Sequence, residues 1–232
     1  MKKRQPKAVS RPVSNRIRAS AWRGEDHAEV RMDTSGTEPA PAGETAPDTP
    51  ALSIRHVREA RDGTPVLLRA VERSDLDIER DLVNRLSSRS RYMRLMSARK
   101  PTEDEMMRWT RIDRSREGAV MATIRADGRE RLIGVARYAM NDGETDVVEC
   151  AIVIDDAWQR QGLGRALMSS LIDLAGRSGM RRMVGTMLSE NAAMTGLARS
   201  LGFSLSREPG AAFVTNLGLD LDTRHSGPRG EA

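Results

Sequence analysis

The chain predicts an α/β domain with a mixed central sheet and helices packed against it. Three observations carry that reading. Short apolar segments are bounded by Asp62-Gly63, Asp127-Gly128 and Asn141-Asp142-Gly143, which are turn chemistry. Between them lie longer segments with helical apolar spacing, such as QGLGRALMSSLIDLAGRSG (161–179). One run, VVECAIVI (147–154), is too apolar to be half exposed and reads as a central strand.

In order along the chain, PVLLRA (65–70) is a short strand after its turn. Ser74 caps a helix over about 75–86, with Leu76, Ile78, Leu82, Val83 and Leu86 as a broad apolar face. SSRSRYMRLMSARKP (87–101) continues helically and stops at Pro101. Thr102 and Glu105 form a capping-box pattern for a helix through about Thr110. GAVMATIRA (118–126) and ERLIGVARYAM (130–140) then read as a hairpin around Asp127-Gly128. After strand 147–154 comes helix 161–179, with Leu167, Met168, Leu171, Ile172, Leu174 and Ala175 inward and Gly179 at its end. RRMVGTML (181–188) is a strand, Asn191 to Leu201 a helix closed by Gly202, and 203–206 and 211–219 are final strands. No internal repeat is present, and the pattern spans about 155 residues, one open α/β domain.

The ends of the 232-residue chain differ from this body. Met1 to Gly24 carries eight basic residues and no acid; Glu25 to Pro50 carries seven acids against Arg31 alone. TSGTEPAPAGETAPDTP (34–50) has no apolar side chain larger than alanine, so it cannot bury enough surface to offset its ordering entropy. Residues 1–62 are therefore expected as a mostly disordered tail, 63–220 as the folded domain, and 221–232 as a second tail. Beyond residue 50 the chain holds 29 basic and 26 acidic residues, so its basic character is no footprint of a nucleic-acid groove. No apolar run approaches a membrane span, and Met1 to Ala21 lacks the apolar stretch of a secretory signal. With Cys150 the only cysteine, a cytoplasmic location is the expectation. His27, His56 and His225 are far apart in the chain, which argues against a histidine metal site or a Ser-His-Asp triad; no metal is expected.

The segment Gln159-Arg160-Gln161-Gly162-Leu163-Gly164 joins the buried strand to an amphipathic helix. Glycines there let backbone N–H groups approach an anion, and the helix start adds its positive dipole end. A Rossmann fingerprint fails, because Leu167 stands where its third glycine would be; a P-loop fails for want of Gly-Lys-Ser/Thr. The turn together with Asn191-x-x-Met194 and Leu201-Gly202-Phe203 resembles the core of the GNAT superfamily of acyl-CoA-dependent N-acyltransferases. Ser87 to Arg94, Leu132 to Tyr138 and Val148-Glu149-Cys150-Ala151 are similar to the GNAT domain of bacterial Pat-type protein lysine acetyltransferases. The resemblance covers about 65–205 and implies the GNAT fold, a mixed central sheet with flanking helices and a strand–Gly-rich turn–helix acyl-CoA site.

Carried over by that resemblance, Gln159, Arg160, Gln161, Gly162, Leu163 and Gly164 hold the pyrophosphate of acetyl-CoA, and Arg165 and Ala166 begin the helix facing it. Arg160 either adds charge to that cradle or is a solvated helix-start arginine. Ile152, Val153 and Ile154 pair by backbone with the pantetheine arm, Asn191 contacts the arm or its thiol end, and an N–H around Val153 stabilises the oxyanion. No tyrosine lies on helix 191–201 to protonate the departing thiolate, so water does so or the thiolate leaves unaided.

An amine acceptor needs a base, since a lysine of pKa ~10.4 is neutral in only about 4 parts in ten thousand at pH 7. Period-two alternation puts Glu149 on one strand face with Val147, Ala151 and Val153, and Cys150 on the other with Ile152 and Ile154. Desolvation in this apolar strand is expected to raise the Glu149 pKa, and Pat-type enzymes resemble the chain in a glutamate here acting as general base. The alternative is a glutamate paired with an arginine such as Arg137. Cys150, pointing away from Glu149 with no histidine near, reads as a core residue rather than a nucleophile. Arg89, Arg91, Arg94 and Arg99 either meet acidic residues flanking a target lysine or form a solvated face.

The expectation is an acetyl-CoA-dependent N-acetyltransferase acting by direct attack on an amine, with a protein lysine as acceptor. A small-amine acceptor, and an acyl-CoA-binding regulator without turnover, are the rival readings. Neither a nucleic acid nor a membrane is an expected partner.

Overall fold

Eight strands and five α-helices succeed one another in residues 54–221, the part of the chain that the computed structural model describes. They are β1 (Arg55–Glu59), β2 (Pro65–Ala70), α1 (Leu76–Arg85), α2 (Ser88–Leu95), α3 (Glu103–Thr110), β3 (Glu117–Ala126), β4 (Arg129–Met140) and β5 (Val147–Ile154). Then follow α4 (Leu163–Arg177), β6 (Arg182–Leu188), α5 (Ala192–Ser200), β7 (Ser204–Glu208) and β8 (Ala211–Asp220). The strands form one sheet in the order β1-β2-β3-β4-β5-β6-β8-β7. Every neighbouring pair is antiparallel except β5 and β6. That exception follows from α4, the crossover helix a parallel pair requires. Of the expected tails, 1–62 and 221–232, residues 1–53 and 222–232 lie outside the described residues, while Leu221 is buried in the core.

The local signals act as their chemistry dictates. Asp127 and Gly128 both have positive φ, the conformation of a two-residue hairpin turn joining β3 to β4. Thr102 accepts from Glu105 N while the Glu105 side chain accepts from Thr102 N, the full capping box of α3. Three expectations change. Residues 54–62, assigned to the tail, contain β1, which pairs along its length with β2. Its five residues, RHVRE, are all exposed, so no alternation announces it; it is a charged edge strand. Ser74 does not cap α1: it lies in a 3₁₀ turn, Arg73–Asp75, where buried Asp75 accepts from Glu72 N and ion-pairs with Arg69 at 2.7 Å. The helical stretch 75–101 is broken at Leu86, whose ψ of 135° is extended, and Ser87 starts α2 afresh by accepting from Ser90 N.

The core lies on both faces of the sheet. On one, α4 sets Leu163, Leu167, Leu171 and Ala175 against Val120, Ile133, Val148 and Cys150. On the other, Leu82 and Leu86 of the α1 region pack on Met121, Leu132 and Val135, with Val153 at the margin. Leu167, Leu171 and Leu82 are fully buried, each worth roughly 1.5–3 kcal/mol of apolar transfer. These two clusters hold β4 and β5 rigidly in the middle, which is where the site forms.

Candidate active site

The ladder between β5 and β6 is short. Val147, Val148 and Glu149 pair with Arg182, Met183 and Val184, and pairing ends there. At Gly185 the strands are still close, since an added Cβ would meet Cys150 O and Sγ at 3.3 Å; beyond it they part. On its other edge β5 stays paired with β4 as far as Gly134↔Ile154, and Asp155 N continues the contact to Ile133 O at 2.9 Å. Antiparallel hydrogen bonding alternates. The bond at Asp155 therefore turns the Val153 N–H toward Val135 and turns Ile152 and Ile154 toward the fork. Of the three residues expected to bind an extended arm by backbone, Ile152 and Ile154 face the opening, and Val153 does not. The Val153 N–H, expected as an oxyanion donor, faces β4 for the same reason, whereas those of Ile152 and Ile154 face the fork.

At the wide end of the fork stands the Gly-rich turn. Arg160 has φ of +64° and Gly162 φ of +84°, so two left-handed residues reverse the chain just before α4. Gly162 is the N-cap and offers no side chain, and the first turn of α4 contains no acid. The N–H groups of Leu163, Gly164 and Arg165 are left without carbonyl partners by helix geometry, the first intrahelical bond being Ala166 N to Gly162 O. Such a helix start binds an anion through its amides and dipole. Leu163 and Ala166 send their side chains into the core, so only their backbone belongs to the turn. Arg165 reaches Ser200 O at 3.2 Å, Arg160 is exposed, and Gln161 Oε1 is buried without a partner. Gln159 points elsewhere: its Nε2 donates to Ser90 Oγ and to Ile154 O. Asn191 caps α5, its Oδ1 accepting from Met194 N at 3.0 Å. Gly162→Val places a β-branched side chain at φ +84°; acetyl-CoA affinity measured by calorimetry is expected to fall about tenfold or more, since such strain costs on the order of 1–3 kcal/mol.

Glu149 lies where the β5–β6 ladder ends, half-buried, opposite Ala139 on β4 and Val184 on β6. The alternation expected along β5 holds: Cys150, Ile152 and Ile154 pack on the α4 side, and Val153 joins the α1 side. Arg137 is not the partner of Glu149. It is 2% exposed, ion-pairs with Glu79, donates to Trp109 O and lies 5.6 Å from the centre of the Trp109 ring. The arginine that interacts electrostatically with Glu149 is Arg94 of α2; burial, and then Arg137, pull its pKa down to about 10, which leaves it charged at neutral pH. Burial, followed by the Glu149 charge, pushes the Cys150 thiol up to about 12, so no thiolate forms there. Over the fork lies α2, packed near β5 and β6, and beside it opens a depression of about 440 Å³ lined by Ser88, Arg89, Tyr92, Met93, Ala98 and Glu190. No group of three or more His, Cys, Asp or Glu side chains able to hold a metal occurs among the described residues.

Two parts of the site escape sequence reasoning. The Glu79–Arg137 pair joins residues 58 apart, and nothing in the spacing announces it. Asp156, which binds Ser87 and Ser90, is an ordinary loop acid in the sequence. A signal existed only for the serines, in the Ser87-Ser88-Arg89-Ser90 run.

The model of the acetyltransferase (GNAT) family matches residues 84–203. Acetyltransferase PA5475 of Pseudomonas aeruginosa is 36% identical over 123 residues, 53% of this chain; the match spans 66% of that relative's length. The GNAT domain of S. lividans PAT has a similar fold, with a TM-score of 0.64 at 22% identity over 72% of this chain and 96% of that one. yncA of Salmonella typhimurium, a putative acetyltransferase solved with its cofactor acetyl-CoA, gives 0.54 at 25% identity over 72% of this chain and 99% of that one.

Proposed function

We propose, on the premise that this chain belongs to the GNAT family of acetyltransferases, that it carries acetyl from acetyl-CoA to a protein lysine with Glu149 as general base. The observation that carries this reading is the fork: the β5–β6 ladder stops at Glu149, and the backbone of Ile152 and Ile154 leads from there to the free N–H groups of α4. An extended arm with amide groups fits such an edge, and a pyrophosphate fits the helix start. In this reading the thioester of a donor so bound lies at the carboxylate.

The residues then divide the work. The α4 amides and Gly162 turn hold the phosphates. Ile152 and Ile154 orient the arm, and their N–H groups are the donors nearest a developing oxyanion. Glu149 takes the proton that the attacking ammonium must lose, directly or through water. The nitrogen attacks the thioester carbonyl, the C–N bond forms, the C–S bond breaks, and CoA departs as thiolate, while the second proton of the nitrogen passes to water or to that thiolate. A lysine acceptor is supported by the open depression beside α2, which admits a side chain borne on a larger molecule, and by the likeness of Ser87 to Arg94 to Pat-type enzymes.

Release of CoA from acetyl-CoA is followed with a lysine-containing protein pool and, separately, with small polyamines. Release with proteins, together with acetyl-lysine found by mass spectrometry, is the expected result. Release with polyamines alone makes the acceptor a small amine, and tight acetyl-CoA binding without release from either leaves a binding protein.

A further inference from the structure

Between the end of β5 and the Gly-rich turn runs a five-residue connection, 155–159, whose Asp155, Asp156 and Gln159 side chains bond to the α1–α2 region. The Asp156 carboxylate accepts three hydrogen bonds from the start of α2: Ser87 N at 2.9 Å, Ser87 Oγ at 2.8 Å and Ser90 Oγ at 2.7 Å. Gln159 Nε2 adds a fourth link, to Ser90 Oγ at 3.2 Å. Beside them Asp155 pairs with Arg85, in the last turn of α1, at 2.9 Å. Burial pushes the Asp156 carboxyl up, but the bonds from Ser87 and Ser90 outweigh it and hold it below the usual carboxylate range. It is an ionised acceptor at neutral pH.

At its far end helix α2 is held by Arg94, whose guanidinium interacts with Glu79 and Glu149; at its start it is held by Asp156. It is eight residues long, far short of what stands alone in water, and Leu95 is its one buried residue. It is cut off from α1 by the extended Leu86 and ends in left-handed Met96. Its N-cap is Ser87, the residue that Asp156 grips through both backbone and hydroxyl. The gripping segment enters the turn directly, reaching left-handed Arg160 four residues after Asp156 and Gly162 two further on. Anything that steadies the turn steadies the anchor of α2, and α2 walls the depression beside the fork.

We propose that Asp156 is a positioning residue that couples filling of the acyl-CoA turn to the placement of α2, so that donor binding sets the acceptor side of the site. This rests on the reading that residues 159–164 hold acyl-CoA. The coupling is a linkage between two sites through one hydrogen-bonded element, and coupling factors of this kind run from about 5-fold to 150-fold.

The test uses the full chain. Amide hydrogen exchange in 88–95 is measured with and without saturating acetyl-CoA, beside calorimetric acetyl-CoA affinity and acceptor KM, for wild type, Asp156→Ala and the double variant Ser87→Ala/Ser90→Ala. In wild type, acetyl-CoA is expected to slow exchange across α2 by about tenfold or more. In both variants that protection falls below about twofold, acceptor KM rises by about tenfold, and acetyl-CoA Kd moves less than about fivefold. Asp156→Asn, which keeps one acceptor oxygen, restores part of the protection. The double variant leaves Asp156 in place, so it decides the matter if Asp156→Ala folds poorly by circular dichroism. Equal protection in wild type and variants overturns the proposal, as does unchanged α2 exchange in a wild type that binds acetyl-CoA. Failure of wild type to bind acetyl-CoA sinks the reading of the turn itself, and this proposal with it.

Discussion

Glu149→Gln is expected to lower acetyl transfer by about 100-fold to 10,000-fold, the range a positioned general base contributes. The amide keeps the size and hydrogen-bonding reach of the carboxylate but cannot take a proton. Acetyl-CoA affinity should change little, because the proposed donor contacts lie in the α4 amides and the Ile152 and Ile154 backbone. The measurement pairs initial rates of CoA release with calorimetry on both proteins. Raising the pH gives the discriminating signature. As more of the acceptor lysine is already neutral, the variant should recover relative to wild type, since the missing step is the removal of that proton. A variant that keeps more than about a tenth of wild-type turnover while binding acetyl-CoA normally removes Glu149 from the base role.

The second large effect is on stability. Arg137→Met is expected to destabilise the fold by about 3–5 kcal/mol, the cost of stranding one member of a buried ion pair. Arg137 and Glu79 are both 2% exposed, and Glu79 Oε2 already lacks a hydrogen-bond partner, so losing the guanidinium leaves a buried carboxylate without its ion-pair partner, with only the more distant Arg94 charge acting on it. Trp109 O would lose its donor as well. For a domain of this size the melting temperature should drop by about 6–20 °C. Replacing both members, as Glu79→Leu with Arg137→Met, should recover most of the loss, because a matched apolar pair removes the desolvation cost along with the attraction. A single variant melting within about 2 °C of wild type would mean that the pair does not carry the packing of α1 and α3 on β4.

Much of the site was legible because it depends on neighbours in the chain. VVECAIVI is one strand, so period two alone separates Glu149 from Cys150, and the packing follows it. The Gly-rich turn, the capping box of α3 and the Asp127-Gly128 hairpin are each specified by a few consecutive residues. Where expectation failed, the deciding partner was distant or the signal weak. β1 has no apolar alternation, and its pairing with β2 makes it a strand. Ser74 was a good cap chemically, but Asp75 is drawn inward by Arg69, and the helix starts after it.

The sequence by itself determined the order of strands and helices from Glu103 onward, the strand–helix–strand step of β5, α4 and β6, and which face of β5 carries the carboxylate, because local periodicity and backbone geometry decide these. Only the tertiary structure decided which backbone groups open into the fork, for that depends on the register of β5 against β4, and on where its ladder with β6 ends. It decided too that Arg137 belongs to Glu79 rather than to Glu149, and that Asp156 holds α2. A charge in an enclosed space takes the partner that packing brings within reach, and residues separated by 58 or 69 positions meet only when the sheet has formed.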